Sequence, residues 1–389
     1  MISILIKKYD SQLIMYFCIL AIIGTIMLYS ASWYESYANS NGRTEMLFLQ
    51  GHLKRLLIGT ILLFSFSIFD YRKLKTIATY IIILSIFLLL STKIFYLLKG
   101  FSWSKPARWL YFGPFSFQTS DFARMSVIIY MAYYVDKKRE KIKDFQAGLL
   151  LPLIVLSTII GLVVIQPDFS TAVMIGIIGT MILFIGGAKI EHLSFSGFAA
   201  LLIGIPVLLS REYRRQRVMS WFGSWFGFTE LEDVGYQANQ SLISLGNGGL
   251  IGVGLGNSME KNHFLPTPHT DFIFAIIGEE LGFLFGTVPV ITLFLLIFFR
   301  GLKIAKNCTD YFGILMAVGI SFNFIIYAFV NVAVVTGIFP VTGLPMPLVS
   351  YGGSGMVINM SLVGILLNIS RSKRSVGNFK NRWSPMLYG

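Results

Sequence analysis

This sequence predicts an all-α, polytopic integral membrane protein with about ten transmembrane helices, and three observations carry that prediction. Apolar residues make up 55% of the 389 residues and charged residues only 13%, where a soluble domain averages about 25% charged. Mean hydropathy is +0.70. Apolar runs recur along the whole chain, many of them near the roughly 20 residues that cross a hydrocarbon core. A membrane β-barrel would show short alternating segments instead.

The expected spans lie near 12–32, 50–69, 75–92, 119–135, 146–165, 169–187, 193–210, 272–299, 311–336 and 352–369. An even number of spans puts both termini on one side. Positive charge selects the cytoplasm. Lys7 and Lys8, the Arg72-Lys75 turn, Lys137 to Lys143, Lys189, Arg300 to Lys306 and the C-terminal Arg371, Lys373, Arg374, Lys380 and Arg382 all fall on that side. The whole chain, 1–389, reads as a single membrane domain with a long extracytoplasmic loop at about 211–270, between spans 7 and 8. Leu13 to Leu28 followed by Ser30-Ala31-Ser32 mimics a cleavable signal, but the many later spans favour an uncleaved anchor. Two cysteines, Cys18 and Cys308, cannot build a disulfide framework or, alone, a zinc site. The net charge of +13 suits cytoplasmic loops and anionic headgroups. The sequence has no nucleic-acid motif, so no nucleic-acid partner is expected.

Basic residues on the outer side break the charge trend. Lys93, Lys99, Lys105 and Arg108 precede span 4, and Arg211, Arg214, Arg215 and Arg217 open the long loop. At headgroup depth they suit an anionic lipid or a pyrophosphate, or they simply anchor the chain to headgroups. A loop of that length is expected to be functional. Its Trp221, Phe222, Trp225, Phe226 and Phe228 suit the membrane interface. Its glycines at 246, 248, 249, 252, 254 and 256 form neither a phosphate loop nor a dinucleotide fingerprint. They permit tight turns and close backbone approach to a ligand or another helix.

Polar groups at membrane depth are the candidate site. Pro266 and Pro268 forbid helix before Asp271, and Glu279 and Glu280 follow within an apolar span. Carboxylates there are costly, so a site is one reading. The other is that Thr270 or Asp271 caps the next helix and the glutamates face an aqueous side. Asp121 and Arg124 stand at i, i+3 and can pair on one helix face. Asp168, after Gln166-Pro167, is a candidate helix cap. The proline-broken stretch from Pro340 to Gly355, holding Ser350 and Tyr351, cannot be a continuous helix and reads as a re-entrant, cavity-lining segment.

Together these segments resemble the SEDS family (shape, elongation, division and sporulation), whose bacterial members include FtsW and RodA. The resemblance covers nearly the whole chain. Its most specific pieces are Pro268-His269-Thr270-Asp271-Phe272-Ile273-Phe274, Gly278 to Gly282, and Pro345 to Ser354 around Ser350-Tyr351-Gly352-Gly353-Ser354. Tyr29 to Ser32, Ala107-Arg108-Trp109, Gln118 to Asp121, Gln166-Pro167-Asp168, Arg215-Gln216-Arg217 and Gln240-Ser241-Leu242 support it. The chain departs from the family pattern at Thr267, where a glutamate is usual, and at Thr119, Asp121 and Arg124, where Pro, Glu and Lys are usual. It also departs at Gly355, where a second serine is common. Gln240 to Gly246 and Ile277 to Glu280 look more like FtsW; Val341 to Pro347 is closer to RodA; the balance favours an FtsW-like member.

The resemblance implies an inverting peptidoglycan glycosyltransferase that polymerises lipid II on the outer face of the bacterial cytoplasmic (inner) membrane. It implies Asp271 as the catalytic acid–base residue. Arg211, Arg215, Arg217, Arg108 and His269 are expected to bind substrate. Asp121, Arg124, Asp168, Glu279, Glu280, Ser350 and Tyr351 are expected in support. No cofactor is certain. A divalent cation, Mg2+ or Mn2+, held by Asp271 stays open as an alternative to the base role. The expected partners are lipid II, a single-span class B penicillin-binding protein and other divisome or elongasome proteins. A lipid II flippase or a non-enzymatic scaffold for a transpeptidase are the competing functions.

Overall fold

The computed structural model describes residues 9–98, 108–112, 115–226, 233–262 and 264–372. Lys7, Lys8, Lys99, Lys105, Phe228, Lys373, Arg374, Lys380 and Arg382 lie outside the described residues.

The ten expected spans correspond to eleven helices. In order they are α1 (Ser11–Asn39), α2 (Leu47–Ile68), α3 (Arg72–Leu98), α4 (Thr119–Lys137), α5 (a π-turn at Phe145–Leu149 continued by Leu150–Ile165), α6 (Phe169–Ile185) and α7 (Ile190–Leu209). Later in the chain come α10 (Ile273–Gly282), α11 (Val288–Asn307), α12 (Tyr311–Val335) and α13 (Ser354–Ser370). The single span expected at 272–299 is two helices, because Gly282 takes φ +74° and breaks the ladder before a π-turn at Phe283–Thr287. Among the described residues, seven helical stretches are long and apolar enough to cross a membrane, and α6 and α13 are shorter apolar helices. α4 is the polar one, yet most of it is buried. It lies between α3, α6, α12 and α13. Most of α12 is also buried, whereas α7 is almost wholly exposed at the edge of the bundle.

Two further features depart from the sequence reading. A short antiparallel ribbon, β1 (Trp109–Phe112) and β2 (Phe115–Gln118), pairs Trp109 with Gln118 and leads straight into α4. The stretch expected as a long loop at 211–270 is largely helical, with α8 (Glu212–Phe226) and α9 (Asp233–Gly248). α8 is amphipathic. Phe222 and Trp225 are exposed, as interfacial aromatics should be, while Trp221 Nε1 turns inward to the Gly337 carbonyl at 3.0 Å.

The glycine run does what its composition implies. Gly249, Gly252, Gly254 and Gly256 have positive φ. The amides of Val253 and Gly254 donate to the carbonyls of Glu279 and Glu280, each at 3.0 Å, and those of Phe283 and Leu284 donate back to Gly249 and Leu250, each at 2.9 Å. Such backbone contact leaves no space for side chains: a Cβ on Gly248 would stand 2.0 Å from the Gly278 carbonyl.

Charges separate to the two ends of the bundle. One end collects the Asp10–Arg300 pair (2.8 Å), Arg72 beside Asp310 (3.8 Å) and the Lys75–Asp136 pair. The opposite end carries α8, the ribbon, and the non-helical segments around 249–272 and 336–353.

Candidate functional site

The site forms at that opposite end, where two proline-broken loops face each other. Residues 264–272 precede α10, and residues 336–353 link α12 to α13. Leu348, at φ +65°, turns the second loop against α1. Its carbonyl would lie 2.5 Å from a Cβ on Gly24, so glycine there admits the re-entrant segment. Ser350 stays inside this loop, accepting the Met346 amide at 2.8 Å. The amide of Tyr351 crosses to the His269 carbonyl at 2.8 Å.

Asp271 is not a helix cap. The N-cap of α10 is Phe272, with no side-chain cap bond. The carboxylate of Asp271 instead takes the Thr270 hydroxyl on Oδ1 at 2.7 Å. Its Oδ2 has no hydrogen-bond partner among the described residues and faces Gly343, where a Cβ would stand 3.9 Å away. One oxygen of a half-buried carboxylate is therefore open on the side of the re-entrant loop.

The four arginines of the long loop divide by helical phase. Arg217 and Arg214 turn inward. Arg217 donates from Nη1 to the Val341 carbonyl at 2.9 Å and stacks on Tyr213 at 4.2 Å. Arg214 reaches the Val207 carbonyl at 3.3 Å. Arg211 is exposed, and Arg215 pairs in solvent with Glu212 at 2.5 Å. Burial pushes the Arg217 guanidinium below its usual range; Tyr213 and Asp271 oppose that, and Arg108 adds to it. Arg217 is thus within electrostatic range of Asp271 and Arg108.

Arg108, at the start of the ribbon, faces Asp168 Oδ1 at 3.8 Å. Asp168 was a candidate cap, but it makes no cap bond. Its Oδ2 accepts from Gln118 Nε2 (2.8 Å) and Ser120 Oγ (2.9 Å), leaving Oδ1 for the arginine. The expected Asp121–Arg124 pair forms, at 3.5 Å. Ser354, at the start of α13, donates to Asp121 at 2.8 Å, and Arg124 continues to Asn359 Oδ1 (3.1 Å) and lies 4.4 Å over Tyr327. The charged groups at the outer end thus include the carboxylates Asp271, Asp168 and Asp121 and the guanidiniums Arg217, Arg108 and Arg124. Asp271 alone of the three carboxylates has no direct ion pair among the described residues.

His269 packs 4.3 Å from Phe48 and 5.6 Å from Tyr351, with Nδ1 3.1 Å from Glu35 Oε2. Glu35 lies on the part of α1 that extends past the expected span. Arg55 covers the other face of the cluster, 4.7 Å above Tyr351. Glu279 and Glu280 face the glycine-run segment. Glu279 binds Ser244 (2.8 Å), Ser258 (2.5 Å) and the Met259 amide (3.0 Å); Glu280 binds Lys261 at 2.7 Å. They brace the loop rather than line the opening beside Asp271.

Among the described residues, no group of three or more His, Cys, Asp and Glu converges on a metal position. Asp271 offers one carboxylate with the Thr270 hydroxyl beside it. That set fits a hard cation only if water and substrate phosphates supply the other ligands, as Mg2+ commonly accepts.

Sequence reasoning missed Asn331, Asn359, Glu35, Arg55 and Lys261. The two asparagines carry a readable signal, a lone amide inside an apolar span. The others carry none until the fold brings their partners near.

Comparison with known proteins agrees with this architecture. A family model described as cell cycle protein, FtsW/RodA/SpoVE, matches residues 10–375. A probable peptidoglycan glycosyltransferase FtsW from Geobacter sulfurreducens is 35% identical over 365 residues, covering 94% of this chain and 96% of that protein. Stage V sporulation protein E of Bacillus subtilis is 36% identical over 371 residues, covering 94% and 98%. Among solved structures, a chain from work on the coordination of polymerization and crosslinking by a peptidoglycan synthase complex superposes with a TM-score of 0.74 at 23% identity, over 93% of this chain and 98% of that one. RodA of Thermus thermophilus superposes with a TM-score of 0.68, at 23% identity, over 94% and 98%. The chain is a multi-pass membrane protein and belongs to the FtsW/RodA/SpoVE family of cell cycle proteins.

Proposed function

We propose that this protein is an FtsW-like peptidoglycan glycosyltransferase that polymerises lipid II at the outer face of the bacterial cytoplasmic membrane. The names of its relatives support the activity, and the clustering of basic loops at the end opposite the site supports the orientation. The observation that carries the mechanism is Asp271: a carboxylate with one oxygen unpartnered among the described residues, open towards Gly343, in the electrostatic reach of Arg217.

Glycosyl transfer from a lipid pyrophosphate needs two things. The acceptor hydroxyl must lose a proton as it attacks the donor's anomeric carbon, and a carboxylate within reach accepts it. The pyrophosphate leaving group gains charge as the glycosidic bond breaks, and fixed cations stabilise it. Asp271 serves the first need. Arg217 and Arg108 serve the second, Arg108 being oriented by Asp168. Arg124, joined to Asn359 and Tyr327, holds α4 to α13 and α12. A divalent cation, if bound, would sit on Asp271 and the substrate phosphates and add Lewis-acid stabilisation. The resemblance of the fold to a synthase-complex chain supports a class B penicillin-binding protein as partner, its transpeptidase crosslinking the new strands.

The test is reconstitution of the purified chain with its partner and lipid II. Wild type is expected to yield glycan polymer, and Asp271→Asn to lower turnover by about 100-fold or more with the partner complex intact. Normal polymer from that variant would remove Asp271 from the chemistry. Lipid II crossing vesicles without polymer would favour a transporter.

A further inference from the structure

α12 carries a buried amide where Asp271 meets the opposite loop. Asn331 is 1% exposed, and an amide there costs free energy unless hydrogen-bonded. Its Nδ2 donates to the Asp271 carbonyl at 2.7 Å and to the Leu344 carbonyl at 2.9 Å. Both partners are acceptors, so the NH2 group must face them, which fixes the amide's orientation. Its own Oδ1 has no partner among the described residues. An orphaned buried acceptor is costly, so the two donors must serve a purpose that an apolar side chain could not.

That purpose is geometric. Neither loop is helical at these residues, so no helical ladder fixes the Asp271 backbone. The two hydrogens of one planar amide diverge at a fixed angle, so they hold the two carbonyls at a fixed separation. Leu344 directly follows Gly343, the residue facing Asp271 Oδ2. At the far end of the same loop pair, the Tyr351 amide bonds the His269 carbonyl. Asn331 supplies the crosslink at Asp271 itself.

We propose that Asn331 is a positioning residue that fixes the Asp271 backbone against Leu344 and so sets where the Asp271 carboxylate stands during glycosyl transfer. This rests on the reading of Asp271 as the proton acceptor. A carboxylate displaced by about 1 Å loses on the order of 100-fold in rate, while substrate held mainly by the arginines still binds.

The experiment measures lipid II polymerisation by the full chain in complex with its partner, as kcat and KM per folded protein, with melting temperature in detergent. Asn331→Ala is expected to lower kcat by about 10- to 100-fold, leave KM within about two-fold, and add no further loss in an Asp271→Asn background. Asn331→Asp keeps the shape, removes the donors, and gives the same readout if the alanine variant does not fold. Asn323 is the control, a second buried asparagine on α12 with both amide atoms unpartnered among the described residues; Asn323→Ala is expected to move melting temperature and not kcat. Wild-type kcat in both Asn331 variants, with Asp271→Asn inactive, overturns this inference and leaves the base assignment standing. A kcat loss that vanishes per folded protein also overturns it. An active Asp271→Asn overturns the base assignment and this inference with it.

Discussion

Lys261 Nζ stands 2.7 Å from Glu280 Oε1, with the two side chains 1% and 0% exposed. The pair is fully hydrogen-bonded: Lys261 also donates to the Gly256 carbonyl (2.7 Å) and to Ser30 Oγ (3.2 Å), and the Ser30 hydroxyl donates to the same carboxylate. One ion pair thus ties the glycine-run segment, α10 and α1 together. Removing one partner strands a buried charge, which costs about 3–5 kcal/mol. Lys261→Ala is expected to lower the melting temperature steeply, and Glu280→Gln in that background to recover part of the loss. A melting temperature unchanged by Lys261→Ala would show that the pair contributes nothing to the fold.

The opposed directions of Arg217 and Arg215 predict unequal effects. Arg217 is half-buried against Val341 and Tyr213; Arg215 pairs with Glu212 in solvent, where such pairs contribute about 0–1 kcal/mol. In a lipid II polymerisation assay, Arg217→Ala should cost about 10-fold or more in kcat/KM, and Arg215→Ala far less. Arg217→Lys should not restore the rate, because an ammonium lacks the planar donor fork. Equal losses at 217 and 215 would count against the division of the arginine cluster.

The glycine run gives a paired test of packing. Gly252 combines φ +83° with a Cβ position 2.3 Å from the Glu280 carbonyl, whereas a Cβ on Gly246 meets nothing within 4 Å. Gly252→Ala is therefore expected to reduce folded yield sharply. Gly246→Ala, within α9, is expected to be neutral or to stabilise by about 0.5–1 kcal/mol. Size-exclusion profiles of the two variants in detergent distinguish these outcomes.

Glu260 should give stability a pH slope. Burial holds its carboxyl above the usual range, and Glu279 pushes the same way; its Oε2 has no partner among the described residues. A group raised in the folded state contributes stability that is complete below its unfolded value of about 4.3 and is lost as pH rises through the folded value. Glu260 is thus expected to lower the melting temperature as pH rises above its unfolded value, and Glu260→Gln to flatten that part of the slope. Parallel melting curves for the two proteins across that range would show that Glu260 titrates as it does in the unfolded chain.

Much of the fold was legible because hydropathy acts residue by residue. The ten spans, the broken stretch from Pro340, and the close approach permitted by Gly246 to Gly256 all follow from local composition. The ribbon at Trp109–Gln118 was not legible, since four-residue strands have too few positions to show a period. Nor was the helix α8, whose Arg214 to Arg217 stretch reads as polar loop until Arg217 and Trp221 are seen to reach the Val341 and Gly337 carbonyls.

The sequence by itself determined that a carboxylate, Asp271, stands at a helix entrance between two proline-broken segments, at the end of the bundle opposite the basic loops. It could not say whether that carboxylate capped the helix, because a cap and a free acid occupy the same position in the chain. Tertiary structure decided it, by leaving the cap position to Phe272 and Asp271 Oδ2 without a partner among the described residues. It also decided that Arg217 turns in to the Val341 carbonyl, which carboxylate holds Arg108, and that Asn331 joins Asp271 to Leu344. Those choices join residues such as Asp121 and Ser354, 233 positions apart. Local periodicity carries no information about such pairs; they are set only when the buried faces of α4, α12 and α13 pack together.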